Sequence, residues 1–310
     1  MTDAPDANLL LRLRTRQLML LAELGSQRNL GRAAAAMAIS QPAATKLLQQ
    51  AEDTLSVQLF TRKARGMEPT AYGEVLIRYA RQMGNDFARV REEMAALRAG
   101  LHGTLHLASV PGAIPELLAP ALVEYQQRHP RVAVSVVVDT SDVLLAQLAR
   151  SEVDLMLGRL TEGSGDEDFE SVALLGEAQV AVVRRDHPLL HQSEVTLQDF
   201  PRWSWILQPP GSPQRTRFEA ALREAGIGAR LDITETASTI LTTALLEISD
   251  RVAVMPASLA GHYSRLGMLC VLPLALPLRV PAIHLITRRQ RGLSPAAADF
   301  KRQIAALVTG

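Results

Sequence analysis

The stretch NLGRAAAAMAISQPAATKLLQQAEDTLSVQLFTR, residues 29–62, decides how the rest of the chain is read. It predicts two short helices joined by a tight turn. Asn29 can cap the first, whose Ala33, Ala34 and Ala36 favour helix and are small enough to let another helix approach. Ser40 can cap the second, with Pro42 in its first turn, where a missing N–H breaks no helical hydrogen bond. Ala44, Leu48, Ala51 and Leu55 are spaced four, three and four, which puts them on one buried face. Ser40, Gln41, Pro42, Ala43, Thr45, Lys46 and Gln49 are left on the other side, near or within the first turns. A helix in a DNA major groove presents such positions to base edges. Glutamine pairs with adenine, the apolar surfaces of Pro42, Ala43 and the Thr45 methyl meet thymine methyls, and Lys46 reaches guanine or phosphate. Arg62, Lys63 and Arg65 come next as a basic loop suited to phosphates, which add affinity but no sequence information. An ordinary helical hairpin with solvated polar residues would show the same pattern.

The run AAAAMAISQPAATKLLQQAEDTLSVQLFTR, with MEPTAYGEVL after it, resembles the amino-terminal signature of the LysR-type transcriptional regulators, and the order of parts follows that family along nearly the whole chain. The resemblance implies a winged helix-turn-helix over residues 1–68, with residues 40–43 opening the recognition helix and residues 59–62 leading into the wing. This sequence departs from the family pattern at Thr45, where serine is usual, at Leu47 for glutamine, at Ala51 for leucine and at Ser56 for glycine.

At 310 residues the chain is long enough for two or three compact units. Its formal net charge is only +1, but the distribution is uneven. Residues 1–65 hold nine Arg/Lys against five Asp/Glu, a net of +4, which leaves −3 for the remainder. The basic end is the expected nucleic-acid end. A single cysteine, Cys270, excludes an intrachain disulfide framework and a cysteine-based zinc site. No signal-peptide pattern and no uncharged apolar stretch of membrane-spanning length is evident, so the expected location is cytoplasmic. Residues 1–7 are expected to be disordered, and residues 9–26, with Leu10, Leu13, Leu18, Leu20, Leu21 and Leu24, to form a supporting helix.

After the basic loop, Pro69 and Thr70 start a long predicted helix. Tyr72, Leu76, Tyr79, Met83, Phe87, Val90, Met94, Leu97 and Leu101 recur at intervals of three or four, a narrow apolar stripe about eight turns long. Arg81, Arg89, Arg91, Glu92, Glu93 and Arg98 would face water. No second long helix is evident to cover the stripe, which favours an intermolecular pair. The family resemblance also implies a linker helix, over 69–102, that makes a homodimer; a homotetramer is the further expectation.

Gly100 and Gly103 end that helix, and strands then alternate with helices, an order that argues for a parallel sheet. Ligands in such sheets bind beyond the carboxyl ends of the strands. In the first set these ends fall at Ser109, Val110 and Gly112, at residues 139–142 including Ser141, and at Arg159. In the second set Gly211, Ser212 and Arg215 lie between a strand and a helix, and Ser238 with Thr239 opens another helix. Helix-start N–H groups, hydroxyls and arginines at these places would suit an anion. Each serine alone reads equally as a helix cap, and Arg159 as an ion-pair partner.

The resemblance implies a two-lobed α/β effector-binding domain over 103–310, similar to periplasmic solute-binding proteins. Lobe I would span about 103–176 and 267–310, lobe II about 177–266, with crossovers near Gly176 and Leu266. Within the family, residues matching Gly112, Ser141, Arg159 and 211–215 border the effector cleft, and members responding to aromatic carboxylates often have serine where this chain has Gly112. The expected function is a DNA-binding transcriptional regulator, not an enzyme. Its expected partners are a double-stranded operator, a small and anionic metabolite as effector, and RNA polymerase at the promoter, with no cofactor and no membrane. The alternatives are an α/β small-molecule enzyme and a ligand-binding protein that reads no promoter. Against an enzyme stand the dispersed histidines and the lack of a G-x-S-x-G elbow or P-loop. The acidic run at 163–170 reads as a solvated loop.

Overall fold

Aliphatic residues at helical spacing, with alanines where helices must approach closely, build the amino-terminal part. The computed structural model describes residues 12–63, 66–160, 168–228, 231–278, 280–289 and 292–309. Its contacts divide the chain into two units, Met1–Met94 and Ala95–Gly310.

In the first unit, α1 (Thr15–Gln27), α2 (Leu30–Ala36) and α3 (Gln41–Leu55) enclose Leu20, Leu21, Leu24, Leu30, Ala44 and Leu48. The two expected caps are in place. Asn29 accepts from the Arg32 N–H at 3.0 Å and Ser40 from the Ala43 N–H at 3.4 Å. Ala33 and Ala34 are buried, whereas Ala36 is exposed. Leu13 precedes α1, and Leu10 lies outside the described residues. Glu52, near the end of α3, ties that helix to the segment entering the wing, its carboxylate accepting the N–H groups of Leu59 and Phe60 at 2.8 and 3.2 Å.

Strands β1 (Phe60–Lys63) and β2 (Gly66–Pro69) pair antiparallel as a wing. Helix α4 (Ala71–Arg98) starts where Thr70 accepts the Gly73 N–H at 3.1 Å. This helix has two apolar faces. Ile77 and Ala80 are buried in its own unit. Leu76 packs on the core of the head, but the rest of the stripe from Tyr72 to Leu97 is exposed in the single chain, Tyr79 by 57%, Phe87 by 50% and Val90 by 53%.

The second unit contains two lobes, each with a five-stranded sheet. In lobe I the strand order is β4–β3–β5–β12–β6, made of β3 (Thr104–Ser109), β4 (Ala133–Val138), β5 (Leu155–Gly158), β6 (Phe169–Leu175) and β12 (Ile283–Arg288). Strands β4, β3 and β5 run parallel as expected, but β12 runs antiparallel to both β5 and β6. The sheet is therefore mixed. A wide helical turn, Ile114–Leu118, leads into α5 (Ala119–Arg128), and α6 (Ser141–Ala149) and α10 (Pro295–Thr309) complete the lobe. The Tyr125 hydroxyl of α5 donates to the Ala296 carbonyl at 3.0 Å, and its ring meets Phe300 edge-on.

In lobe II the order is β11–β7–β10–β8–β9, made of β7 (Gln179–Val183), β8 (Ser204–Leu207), β9 (Asp232–Glu235), β10 (Val252–Pro256) and β11 (Cys270–Val271). Helices α7 (Pro213–Glu224), α8 (Thr239–Glu247) and α9 (Ala257–Arg265) flank it. Along β10, Val252 and Val254 pack with Trp205 and Phe218 while Ala253 and Met255 pack with Leu246 and Leu259, so both faces of the sheet are covered. Helix α9 was not foreseen. Nor does the chain return to lobe I near Leu266: β11 pairs with β7, and Leu272 and Leu278 sit in the lobe II core. The second crossover falls between Leu278 and Ile283 because leucines at 272, 274, 276 and 278 hold this segment on lobe II.

Candidate functional site

Two sets of residues carry the chemistry, one in each unit. On α3 the buried side is Ala44, Leu48 and Ala51, with Leu55 half-buried. Ser40, Gln41, Pro42, Ala43, Lys46 and Gln49 are exposed and Thr45 is half-buried. The Thr45 hydroxyl donates to the Gln41 carbonyl at 3.0 Å. Its proton is thereby spent on the helix, which leaves an oxygen acceptor and a methyl for a partner. Arg62 and Lys63 are exposed on the wing strand β1, and Arg65 lies outside the described residues. Exposed donors on one helix face, with cations on the adjacent hairpin, can engage base edges and phosphates together.

In the second unit, a cleft of about 60 Å³ opens between the lobes. Strand ends from lobe I bring Val110, Gly112, Asp139, Thr140, Ser141 and Arg159 to it. From lobe II come Gln179, Gln208, Gln214, Thr236, Thr239 and Thr242. Five of the ten expected residues thus line this cleft: Val110, Gly112, Ser141, Arg159 and Thr239. The other five do not. The Ser109 hydroxyl is fully buried and donates to the Val110 carbonyl. Ser212 caps α7 by accepting the Arg215 N–H, and Gly211, at φ +95°, makes the turn before it. Ser238 caps α8 and lines a wider hollow outside the cleft. The Arg215 guanidinium is held by Glu219, Glu235 and the Gln208 carbonyl. For Ser212 and Ser238 the cap reading of the sequence is the one the geometry shows.

Arg159 is a clamp on the hinge. Its Nη2 donates to Glu177 Oε2 at 2.7 Å and its Nε to the Pro281 carbonyl at 2.7 Å, so one guanidinium holds both segments that cross between the lobes. Glu177 also accepts from the Ser258 hydroxyl at 2.6 Å, and Ser258 lies within 3.0 Å of the Gly112 carbonyl oxygen. A Cβ at Gly112 would stand 2.6 Å from both Glu177 carboxylate oxygens, so glycine here is what leaves room for that carboxylate. Nearby His284 has its pKa lowered, first by burial and then by the charge of Arg159.

Sequence reasoning missed Gln179 because it looked for carboxyl ends of strands. Strand β7 runs antiparallel to β10, and Gln179 pairs with Pro256, so the amino end of β7 reaches the cleft. Gln214 falls in the 211–215 turn that the resemblance set at the cleft border, and Thr242 was missed for a simpler reason: a residue in the first turns of a helix has no pattern of its own.

The sequence contains His-x-x-x-His spacing at His102/His106 and at His187/His191. Neither pair lies on an α-helix, where that spacing aligns two rings. Among the described residues no group of three or more His, Cys, Asp or Glu is placed to hold a metal. Among them, too, no helix is long and apolar enough to cross a membrane.

Comparison with known proteins supplies the identity of both units. Residues 15–74 match the model of the bacterial regulatory helix-turn-helix protein, lysR family, and residues 98–308 match the LysR substrate binding domain. The transcriptional regulator GbpR of Azospirillum brasilense is 35% identical over 287 residues, covering 92% of this chain and 84% of its own. The regulator GalR of Pseudomonas putida is 30% identical over 294 residues, covering 95% and 74%. Two solved structures share the fold. CbnR complexed with its target DNA has a TM-score of 0.63 at 22% identity, over 94% of this chain and 99% of that one. The effector binding domain of QuiR in complex with shikimate has a TM-score of 0.56 at 21% identity, over 67% and 98%. The chain belongs to the LysR family of transcriptional regulators, with a helix-turn-helix DNA-binding head and an effector-binding domain.

Proposed function

We propose that this regulator reads its operator through the outward face of α3, as a dimer joined along α4, and that a small effector in the interlobe cleft sets its activity. The observation that carries the reading is the division of α3: an apolar side buried in its own unit and a side bearing Gln41, Thr45, Lys46 and Gln49 turned to solvent. Arg62 and Lys63 supply phosphate contacts beside it. In this scheme residues 1–68 are the head and residues 69–102 the linker. The exposed stripe of α4 is the dimer seam, because a run of half-exposed Tyr, Phe, Val and Met at helical spacing loses its apolar surface to water only by pairing.

For the effector, the support is a cleft whose two walls come from different lobes joined by two crossing segments. A ligand that contacts both walls binds the closed form better than the open one and so shifts the equilibrium between them. RNA polymerase is the natural further partner of such a factor, and a pair of dimers the natural assembly on extended operators. The expected anionic effector loses its basis here, since the charges of Arg159 and Arg215 are already taken by Glu177, Glu219 and Glu235.

The test is selection of duplexes from a random pool with purified protein, followed by titration at several salt concentrations. The proposal expects one enriched motif, present as two spaced half-sites, and affinity that falls steeply with salt. Enrichment of no motif would contradict it.

A further inference from the structure

Resting on the reading of the interlobe cleft as the effector site, we infer that its ligand is an uncharged molecule bearing neighbouring hydroxyls, of the polyol or monosaccharide class, selected by Gln179, Gln214 and Asp139. Three observations converge. The first is charge. Among the described residues Arg159 is the one cation lining the cleft, and Glu177 pairs with it at 2.7 Å. Asp139 adds an unpaired carboxylate to the lining, its Oδ1 accepting only from Thr140, at 2.7 Å from the N–H. The formal charge of the described lining is then negative, and a carboxylate ligand there would meet repulsion with no free cation among the described lining residues to offset it; Arg265 lines the adjoining hollow instead.

The second is the state of the helix starts. The Ser212 and Ser238 caps each take one of the first N–H groups, that of Arg215 in α7 and that of Leu241 in α8, and Pro213 at the start of α7 brings none. At the start of α6, Asp139 holds the Thr140 N–H and Asp142 occupies the first turn, so the positive end of that helix is already complemented.

The third is the amide pair. Gln214 Nε2 donates to Gln179 Oε1 at 2.6 Å; the two residues are 7% and 5% exposed, and both line the cleft. One amide–amide hydrogen bond uses one N–H and one carbonyl, whichever way the two amides are turned. A carbonyl on one amide and an NH₂ group on the other therefore carry no bond within the pair. That combination complements a group that donates and accepts at once, which a hydroxyl does and an ionised carboxylate does not. The Ser141 hydroxyl adds a donor, since its oxygen already accepts the Arg159 N–H at 3.1 Å. Asp139 adds a strong acceptor for a hydroxyl proton. A cleft of about 60 Å³ holds roughly four to six waters at ~10–15 Å³ each, which a small polar ligand would displace.

The test uses the full-length protein and matched probes: monosaccharides and polyols against their acids, D-glucose with D-glucuronate and methyl shikimate with shikimate among them, titrated by calorimetry. The expected result is that an uncharged member binds, that its acid counterpart binds at least tenfold more weakly, and that Asp139→Asn narrows this gap. Gln179→Leu and Gln214→Leu should each weaken the uncharged ligand about tenfold. Tighter binding of an acid than of its uncharged partner, or binding of no uncharged member, overturns the inference. Ser141→Trp, which fills the cleft, separates the two levels. Acid binding abolished by Ser141→Trp overturns the charge assignment and leaves the cleft as the effector site, whereas binding of any probe unaltered by it overturns the cleft reading itself.

Discussion

The outward face of α3 and the interlobe cleft are both lined by amides and hydroxyls, yet their polar groups are in opposite states. On α3 the side chains of Gln41, Lys46 and Gln49 are exposed, and their backing is a continuous apolar seam. In the cleft the side chains are nearly buried and already bonded before any ligand arrives, Arg159 to Glu177, Ser141 to the Arg159 N–H, and Gln214 to Gln179. A surface that meets DNA only on docking benefits from side chains that can adjust to base edges. A site for one small molecule benefits from groups fixed in advance, because ordering them then costs nothing on binding. Variants that disturb exposed groups should therefore change binding and leave stability alone, and variants within the cleft and hinge should change both.

The largest effect is expected at the seam of α4. Met83→Glu combined with Val90→Glu would place carboxylates against their symmetry mates, costing several kcal/mol, ~3–5 by the measure of unpaired buried charges. Light scattering should show the mass of a single chain, and half-site spacing should cease to matter. A double variant that remains dimeric would mean that the stripe packs elsewhere.

Arg159→Ala comes next. Glu177, with 2% of its side chain exposed, would be left charged without a partner, and about 3–5 kcal/mol of stability should be lost in urea melts. Glu177→Gln combined with Arg159→Ala should recover part of it. If Arg159→Ala melted like the parent but lost its response to effector, Arg159 would belong with the adjustable groups of the comparison, not with the fixed ones.

Gly73→Ala sharpens the contrast within the head. A Cβ there would overlap the Leu59 backbone carbonyl, which cannot swing aside as a side chain can. The expected cost is about 1–3 kcal/mol, seen as a lower melting temperature for the first unit. Ser56→Gly should act in the other direction and more weakly. Ser56 ends α3 at φ 54°, where a side chain costs about 1–2 kcal/mol that glycine avoids, less what glycine loses in the unfolded chain. A gain of ~0.5–1 kcal/mol in thermal melts is expected, with operator affinity unchanged.

The same division between head and cleft governs how much was legible in the sequence. The helices of the head, their caps and their buried faces could be read from spacing because each is a local pattern with a period. The stripe of α4 was legible for the same reason, whereas the wing came with the family resemblance and its residues alone read only as a basic loop. The cleft was half legible. Val110, Gly112, Ser141, Arg159 and Thr239 lie at strand or helix ends and were found, but Ser212 and Ser238 spend their oxygens on caps and Arg215 points to Glu219 and Glu235. Gln179 was hidden by an antiparallel strand whose direction no local pattern records. The partner of Arg159 lies 18 residues away and its second acceptor 122 away, so its role as a clamp depends on the closed topology of two lobes.

The central claim is that sequence is read by the outward face of α3 and that the wing supplies affinity alone. The direct measurement is fluorescence anisotropy of Gln41→Ala and Arg62→Ala on the selected operator and on a random duplex, at several salt concentrations. Gln41→Ala should weaken operator binding by about 1–3 kcal/mol with random DNA nearly unaffected. Arg62→Ala should weaken both alike and lower the salt slope by about one phosphate contact. Equal losses on operator and random DNA for Gln41→Ala would contradict the account.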